Sequence, residues 1–394
     1  MHGALIIKLA DIFFLDYCHY CQLNNKRSHM KILLIGEYSN VHATLARGFH
    51  QIGHEVTLVS NGDFWKNYPR DIDVSRQPGK WGGIKLMAKI YSLLPKLRGY
   101  DIVQVINPMF FELRAERIFP IYKYLKNSNK RFVLGAMGMD WYWVHTNTYR
   151  KPLRYSDFNI GDEVRKNADA VKERKDWIGT AKERLNKLIA SESDAIVAGL
   201  YEYKVCYDMY FPEKTTFIPF PIELTKQINH DFKIPEKIKI FIGISKNRSE
   251  YKGTDIMMMA AEKIKDKYPN RIKLIKVEGV PFAKYEQLMN GSDLILDQLY
   301  SYTPSMNPLL AMSKGIICVG GGENENYQII NEKKLRPIIN VQPNYNSVYE
   351  ELEKIVLHPE IIPKLKSESI EYVKRHHDYI KVSKQYIDMY EKIL

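Results

Sequence analysis

The segment Asp297–Tyr327, DQLYSYTPSMNPLLAMSKGIICVGGGENENY, sets a short helix, Pro308 to Ser313, before an apolar strand, Ile316 to Val319. The strand runs out onto Gly320, Gly321 and Gly322, and then onto two acids, Glu323 and Glu325. Three glycines leave bare backbone that another group can approach closely. The acids fall where the next helix should begin, where they either complement its dipole or accept hydroxyl groups. Helix, buried strand, glycine loop and helix is the grammar of an open parallel sheet. Such sheets bind ligands beyond the carboxyl ends of their strands.

Working outward, the same alternation covers both halves of the chain. In the second half IKIFIGI (238–244), RIKLIKV (271–277) and DLILDQL (293–299) read as strands, with helices at 255–268 and 282–291 between them. Helices are expected at 346–357, 360–376 and about 377–393. In the first half the strands are KILLIG (31–36), HEVTLVS (54–60), DIVQVI (101–106), RFVLGA (131–136) and DAIVAG (194–199). Leu45, Phe49 and Ile52 line one face of a helix that Gly53 stops. A helix is expected within 110–127 and more within 160–192, where Thr180 to Glu183 spell a capping box. The stretch 215–224, with Pro219 and Pro221, reads as a linker. The fold class that follows is α/β: two doubly wound Rossmann-like domains, 30–218 and 219–376, facing a cleft. The segment 377–394 is expected to pack back on the first domain.

At 394 residues the chain exceeds one compact core. Its formal charge of +12 implies an anionic partner: nucleic acid, lipid or phosphorylated substrate. Nucleic acid is set aside because no recognition helix or RNA-binding aromatic signature accompanies the charge. Four cysteines make no disulfide framework, which points to a reducing, cytoplasmic setting. No run of 18 apolar residues occurs. Residues 1–29 precede the first strand and read as an upstream extension, with Met30 as a start; Cys18 and Cys21 have no second ligand pair in view. In GGIKLMAKIYSLLPKLRGY (82–100), Ile84, Met87, Tyr91 and Leu94 form a stripe among Lys85, Lys89, Lys96 and Arg98. A core helix with solvated lysines is one reading, and docking on an anionic membrane surface the other.

The loops after strands carry the chemistry. In GISKNRSEYKGTD (243–255) Lys246, Arg248 and Lys252 crowd the start of a helix opened by Gly253 and Thr254. Cations beside free backbone N–H groups suit a diphosphate. Ser305 is placed to cap the helix before the opening strand, leaving the Met306 and Asn307 amides for an anion or sugar oxygen. After the first strand comes His42, and after the fourth, in GAMGMDWYWVH (135–145), comes Asp140, a candidate base. Trp141, Tyr142 and Trp143 either stack on a sugar or fill a domain surface.

Lys246, Lys252-Gly253, the Ala311-Met312-Ser313 and Gly315 run, and Gly321, Gly322 and Glu325 together resemble the donor half of GT-B glycosyltransferases of the family 4 type. In that pattern two acids stand where this chain has Tyr302 and Leu310. Leu310 offers a ribose nothing to hydrogen-bond. The resemblance implies a nucleotide-diphosphate sugar as substrate, no cofactor, no metal, and a glycan or lipid-linked acceptor in polysaccharide assembly. Lys246, Arg248, Lys252 and Gly253 would hold the diphosphate. Asp297, Tyr302, Ser305, Asn307, Gly321, Gly322, Glu323 and Glu325 would surround the sugar and ribose, the acids replacing the missing pair. His42 and Asp140 would be catalytic, and the enzyme would work in the cytoplasm, peripherally on the membrane. A nucleotide-sugar epimerase of the same fold and a non-catalytic nucleotide-sugar binder are the alternatives.

Overall fold

The computed structural model describes residues 29–224, 231–244 and 249–394. Seven parallel strands form the first sheet: β1 (Lys31–Ile35), β2 (Glu55–Ser60), β3 (Ile72–Asp73), β4 (Ile102–Val105), β5 (Arg131–Ala136), β8 (Ala195–Ala198) and β9 (Thr215–Phe217). Their order is β3-β2-β1-β4-β5-β8-β9. A small antiparallel hairpin, β6 (Asn159–Ile160) with β7 (Glu163–Val164), stands apart from it. The second sheet takes β10 (Ile238–Ile244), β11 (Ile272–Glu278), β12 (Leu294–Leu296), β13 (Ile317–Gly320) and β14 (Ile339–Asn340) in the order β11-β10-β12-β13-β14. All its pairings are parallel. Strand order reverses direction at β1/β4 in one sheet and at β10/β12 in the other, and ligands favour such switch points.

The central strands are buried on both faces. Ile32 to Ile35 and Ile102 to Val105 are inaccessible, as a parallel sheet covered on both faces requires, Gln104 being the one polar residue among them. Helices Val41–Gln51, Ala115–Asn127 and Ala181–Glu192 cover the first sheet. Helices Thr254–Lys267, Met306–Ser313 and Tyr345–Leu357 cover the second. The last helix, Tyr379–Ile393, crosses back to lie on Val41–Gln51. Phe49 meets Tyr386 and Tyr390 edge-on or tilted at 6.1 and 5.9 Å. A Cβ on Gly48 would lie 2.0 Å from Ser383 Oγ, so glycine in mid-helix sets how closely these helices approach.

Two stretches differ from their sequence reading. Residues 215–217 are not linker but the edge strand β9, paired to β8. Their alternation is short enough to be masked by the prolines after it. In the helix Lys80–Leu93, the buried apolar side chains among the described residues are Leu86 and Ile90, continued by Leu94. Ile84 and Tyr91 face outward instead, with Trp81 more exposed still at 71%. The apolar residues thus occupy two faces, and only one of them has a partner within the described residues.

Candidate functional site

A cleft of about 1420 Å³ opens between the two sheets. Its walls are loops at the carboxyl ends of strands: Ser39, Asn40 and Asp63 to Lys66 after β1 and β2, and Gly243, Gly279 to Phe282 and Asp297 after β10, β11 and β12. Several of these backbones are strained. Ser39, Asn40, Asp63 and Phe64 all take positive φ (53, 73, 58 and 58°), which non-glycine residues adopt only when their surroundings enforce it.

On the second-domain wall, Lys252, Asp297, Ser305 and Asn307 come together as the sequence grouped them. Lys252 ends a single helical turn, and Gly253 follows with φ 73°. A Cβ there would sit 2.8 Å from Leu299, so this glycine serves both the turn and the packing behind it. Burial raises the Asp297 carboxyl above its ordinary range, opposed by the Lys252 charge and a hydrogen bond from Asn307. Asn307 Nδ2 also donates to Tyr285 Oη at 3.0 Å. Ser305 stands at the N-cap of Met306–Ser313 without a side-chain capping bond. The first-turn amides of that helix therefore lack a side-chain oxygen from their own cap, and Met306 and Asn307 line the cleft. Phe282 and Trp65 approach across the opening, ring centres 6.4 Å apart. Lys246 and Arg248 lie outside the described residues.

Tyr302, Gly321, Gly322, Glu323 and Glu325 are gathered elsewhere, in a clamp between the domains. A Cβ on Gly321 would meet Ser301 O at 2.2 Å, and one on Gly322 would meet Ile338 at 2.7 Å. The close approach these glycines permit is to protein. Arg154 Nη2 donates to Glu323 at 2.8 Å and Nη1 to Glu325 at 2.5 Å. Tyr155 Oη and Gln342 Nε2 each donate to Glu323 at 2.7 Å. Burial works against the Glu323 charge, but these donors hold its carboxyl below the ordinary value. The Tyr302 ring is 1% exposed, lying between Tyr155 and Tyr201 at 4.8 and 5.8 Å, and its hydroxyl accepts the Arg154 amide at 2.7 Å.

Three more first-domain side chains complete this clamp, and the sequence reading passed over them. The buried Glu202 carboxylate accepts from the Ser301 hydroxyl, the Tyr302 and Thr303 amides and the Thr303 hydroxyl at 3.0, 2.5, 3.0 and 2.5 Å. Arg165 donates to the carbonyls of Glu250 and Tyr251 at 2.7 and 3.2 Å and lies 3.4 Å from the Tyr300 ring centre. Asp157 accepts from Tyr251 Oη at 2.6 Å and from Trp143 Nε1 at 3.1 Å. Glu202 did carry a signal, since it follows β8 at a helix start.

His42 and Asp140 are both fully buried. The Gly36 carbonyl accepts from His42 Nδ1 at 2.9 Å, so Nε2 accepts from Gln104 Nε2 at 3.1 Å, and Gln104 in turn accepts from Tyr390 Oη at 2.7 Å. Burial holds this imidazole neutral, lowering its pKa to about 3 against the pull of the Gly36 bond. Asp140 caps the helix Trp141–His145 through Trp143 N at 2.8 Å and accepts from Tyr207 Oη at 2.6 Å. Burial raises it to about 6 while those bonds oppose the rise. Trp141, Tyr142 and Trp143 are buried within the first domain and pack on its aromatics, Tyr142 on Tyr207 at 4.6 Å.

A second cavity, of about 700 Å³, sits beside the β1/β4 switch point of the first sheet. Phe64 lines both cavities. Glu37, directly after β1, lines the smaller one and is 2% exposed. Its Oε2 accepts the Ala43 amide at 2.7 Å, and its Oε1 has no hydrogen-bond partner. Burial raises this carboxyl to about 7, opposed by the Ala43 amide and helped by the Asp63 charge. Among the described residues no three His, Cys, Asp or Glu side chains gather as a bound metal would need.

Two Rossmann-like domains meeting across a cleft at the carboxyl ends of parallel sheets define the GT-B fold, and this chain has it. Anabaena HepE, solved with UDP and glucose, superposes with a TM-score of 0.56 at 12% identity, covering 92% of this chain and 100% of that one. Sucrose-phosphate synthase from Thermosynechococcus elongatus gives 0.56 at 11% identity over 93% and 99%. A Listeria monocytogenes protein described as a UDP-N-acetylglucosamine 2-epimerase gives 0.53 at 10% identity over 91% and 95%. No protein-family model matches the sequence, and no curated protein matches it.

Proposed function

We propose that this protein transfers a sugar from a nucleoside-diphosphate sugar to a hydroxyl of a glycan or lipid-linked acceptor in polysaccharide assembly. The observation that carries the reading is the cleft wall where Lys252, Asp297, Ser305, Asn307 and a helix N-terminus converge beyond β10 and β12. A cation and backbone N–H groups suit a diphosphate that gains charge as it leaves, and Asn307 and Asp297 suit hydroxyl groups. HepE was solved with UDP and with UDP-glucose, which supports a uridine nucleotide as the first donor to try. Lys246 and Arg248 would add to the same charge. The reaction needs no metal in this reading, since Lys252 and its neighbours neutralise the leaving group.

The test is turnover of UDP- and GDP-sugars with excess EDTA, reading release of the nucleoside diphosphate. Acceptor-dependent release in EDTA is expected; activity that vanishes in EDTA and returns with metal refutes metal independence. The epimerase reading is supported by the Listeria neighbour. Isomerisation of donor with no acceptor present would select it, and binding without turnover would select a non-catalytic binder.

The exposed face of Lys80–Leu93 supports an acceptor held at a membrane. Trp81, Ile84 and Tyr91 are 71, 52 and 45% exposed, and Lys85 and Lys89 are exposed beside them. Apolar side chains ringed by lysines suit the boundary of an anionic bilayer. Among the described residues no helix is long and apolar enough to cross one. Trp81→Ala with Ile84→Ser is expected to weaken partition onto phosphatidylglycerol vesicles about tenfold or more, from lost apolar burial alone. Equal co-sedimentation of wild type and variant counts against this face.

A further inference from the structure

A strained loop of the first domain holds Trp65 out into the cleft. Asp63, Phe64 and Asn67 take φ of 58, 58 and 52°. Non-glycine residues keep such angles only where their neighbours impose them. Asp63 Oδ2 accepts the Ser39 amide at 2.8 Å and Lys66 Nζ at 2.5 Å. Asn61 Oδ1 accepts the Asp63 amide at 3.0 Å, and Asn67 Oδ1 accepts from Arg70 Nη1 at 2.9 Å. What this fixed loop presents is two rings, Phe64 and Trp65, each 61% exposed. Rings left in water contribute little to the fold, and a ligand that covers them gains that burial.

Trp65 is one of four rings that line the cleft from both domains. Phe282 of the second domain lies 6.4 Å from it and 5.6 Å from Tyr68, and Tyr285 stacks on Phe282 at 6.3 Å with 11° between the planes. Tyr285 is fixed from three sides. Phe241 backs it edge-on at 5.0 Å, a Cβ on Gly243 would lie 2.5 Å from its ring, and its hydroxyl accepts from Asn307 Nδ2 at 3.0 Å. That hydrogen bond joins the rings to the wall that suits the diphosphate. Flat apolar faces beside a diphosphate suit a nucleobase, since every base has a π face.

A ribose finds fewer partners on the same wall. Leu310 lies one turn along the helix from Met306 and Asn307, and with Val277 and Val280 it makes this part of the cleft apolar. Four carboxylates line the cleft among the described residues. Asp297 stands with Lys252 at the diphosphate end. The other three are ion-paired: Asp63 with Lys66 at 2.5 Å, Glu223 with Arg47 at 2.9 Å and Glu286 with Lys314 at 2.5 Å. A ribose 2′-hydroxyl against Leu310 meets a side chain that neither accepts nor donates.

We propose that the donor's nucleobase stacks against these rings with Trp65 as its first-domain wall, and that Leu310 leaves the ribose 2′-hydroxyl unread, so that 2′-deoxynucleoside diphosphate donors are held on a par with ribonucleoside ones. The proposal rests on the glycosyltransferase reading above and names the donor class that reading leaves open. Trp65 and Leu310 are specificity-determining residues: they touch the nucleoside and not the reacting carbon. Affinity at this end comes from apolar faces, and polar recognition is concentrated on the diphosphate.

The experiment measures UDP and dUDP binding by calorimetry to wild type, Trp65→Ala, Trp65→Phe and Leu310→Glu, with tryptophan emission read in parallel. Wild type is expected to bind the two nucleotides within about threefold of each other. Trp65→Ala should bind both about tenfold more weakly, the loss of one stacking ring, with an unchanged thermal midpoint because the ring is mostly exposed. UDP should quench wild-type emission through Trp65. Of the other four tryptophans, Trp141, Trp143 and Trp177 are buried and Trp81 does not line the cleft. Trp65→Phe should keep UDP affinity within about threefold and lose that quench. Leu310→Glu supplies a charged acceptor and should favour UDP over dUDP about tenfold. A wild type that prefers UDP by more than about threefold, or a folded Leu310→Glu that binds both alike, overturns the assignment of Leu310; the wild-type ratio decides alone where that variant does not fold. Trp65→Ala that binds UDP as wild type does, or loses stability along with affinity, overturns the assignment of Trp65, as does emission that UDP leaves unchanged. Wild type that binds neither nucleotide overturns the functional reading itself.

Discussion

Lys252→Ala is expected to lower kcat/KM for the nucleotide sugar by about 10²- to 10³-fold, the range seen when one preorganised charge stabiliser is removed. Lys252 lines the cleft at the start of the Thr254–Lys267 helix, where the chain turns through Gly253. As the bond to the sugar breaks, charge builds on the departing diphosphate. A cation fixed beside that oxygen stabilises the transition state more than the bound substrate, so kcat should fall further than KM rises. A second effect adds to the first. The Lys252 charge, with a hydrogen bond from Asn307, opposes the burial of Asp297, and without that charge the carboxyl titrates higher still. The variant therefore loses a cation and weakens the neighbouring acid as a hydroxyl acceptor. Lys252→Arg should recover most of the rate, since it restores the charge but not the compact ammonium geometry. Steady-state kinetics with UDP-glucose decide it. A variant with unchanged kcat/KM would move the role to Lys246 and Arg248.

What the sequence made legible follows from period and position. The long strands of both sheets showed as apolar-rich runs between helical patterns; the central ones, covered on both faces, have little polar alternation, whereas β11 at the sheet edge carries Lys273 and Lys276 among its apolar residues. β9 was hidden by its three-residue length and the prolines beyond it. Candidate residues were legible as neighbours where their position in the chain is their position in space. Lys252, Asp297, Ser305 and Asn307 follow strands of one sheet, and parallel strands deliver their following loops to one end.

Residues whose meaning depends on the other domain were not legible in this way. Glu323 and Glu325 keep a donor-site spacing, yet in the structure they meet Arg154 and Tyr155 of the first domain, while Gly321 and Gly322 pack on Ser301 and Ile338 of their own. Arg154 lies more than 160 residues from the acids it pairs with, and nothing local announces it. Tyr302 shows the physical consequence. At 1% exposure, beside two tyrosine rings and with the Arg154 guanidinium 4.9 Å from its own ring centre, the position is filled by an aromatic side chain that packs on all three. The same loop that the sequence presents as a sugar site is, in this fold, where one domain grips the other.

Glu202→Ala should cost on the order of 3 kcal/mol of stability and disturb donor binding from outside the cleft. The carboxylate gathers two amides and two hydroxyls of the 301–303 turn, which belongs to the other domain. Each buried donor left without an acceptor costs about 1–3 kcal/mol. The Ser301 hydroxyl, whose single proton is shared between Glu202 and Thr303 O, can turn wholly to Thr303 O at 2.6 Å. The Tyr302 and Thr303 amides and the Thr303 hydroxyl have no such alternative among the described contacts, so three penalties near the lower end of that range set the estimate. The turn leads within two residues to Ser305 and the helix whose amides line the cleft. Loosening it moves the donor wall, and UDP should bind about tenfold more weakly, which is 1.4 kcal/mol. Glu202→Gln keeps one acceptor oxygen but turns an NH₂ toward donors, so it should fall between the two proteins. Chemical denaturation and UDP calorimetry on the same three proteins read both effects. If stability drops while UDP affinity holds, the clamp and the cleft are independent. If both fall in step from wild type through glutamine to alanine, the grip between the domains also shapes the site, and the buried acid at the start of Tyr201–Asp208 is how the first domain reaches the donor.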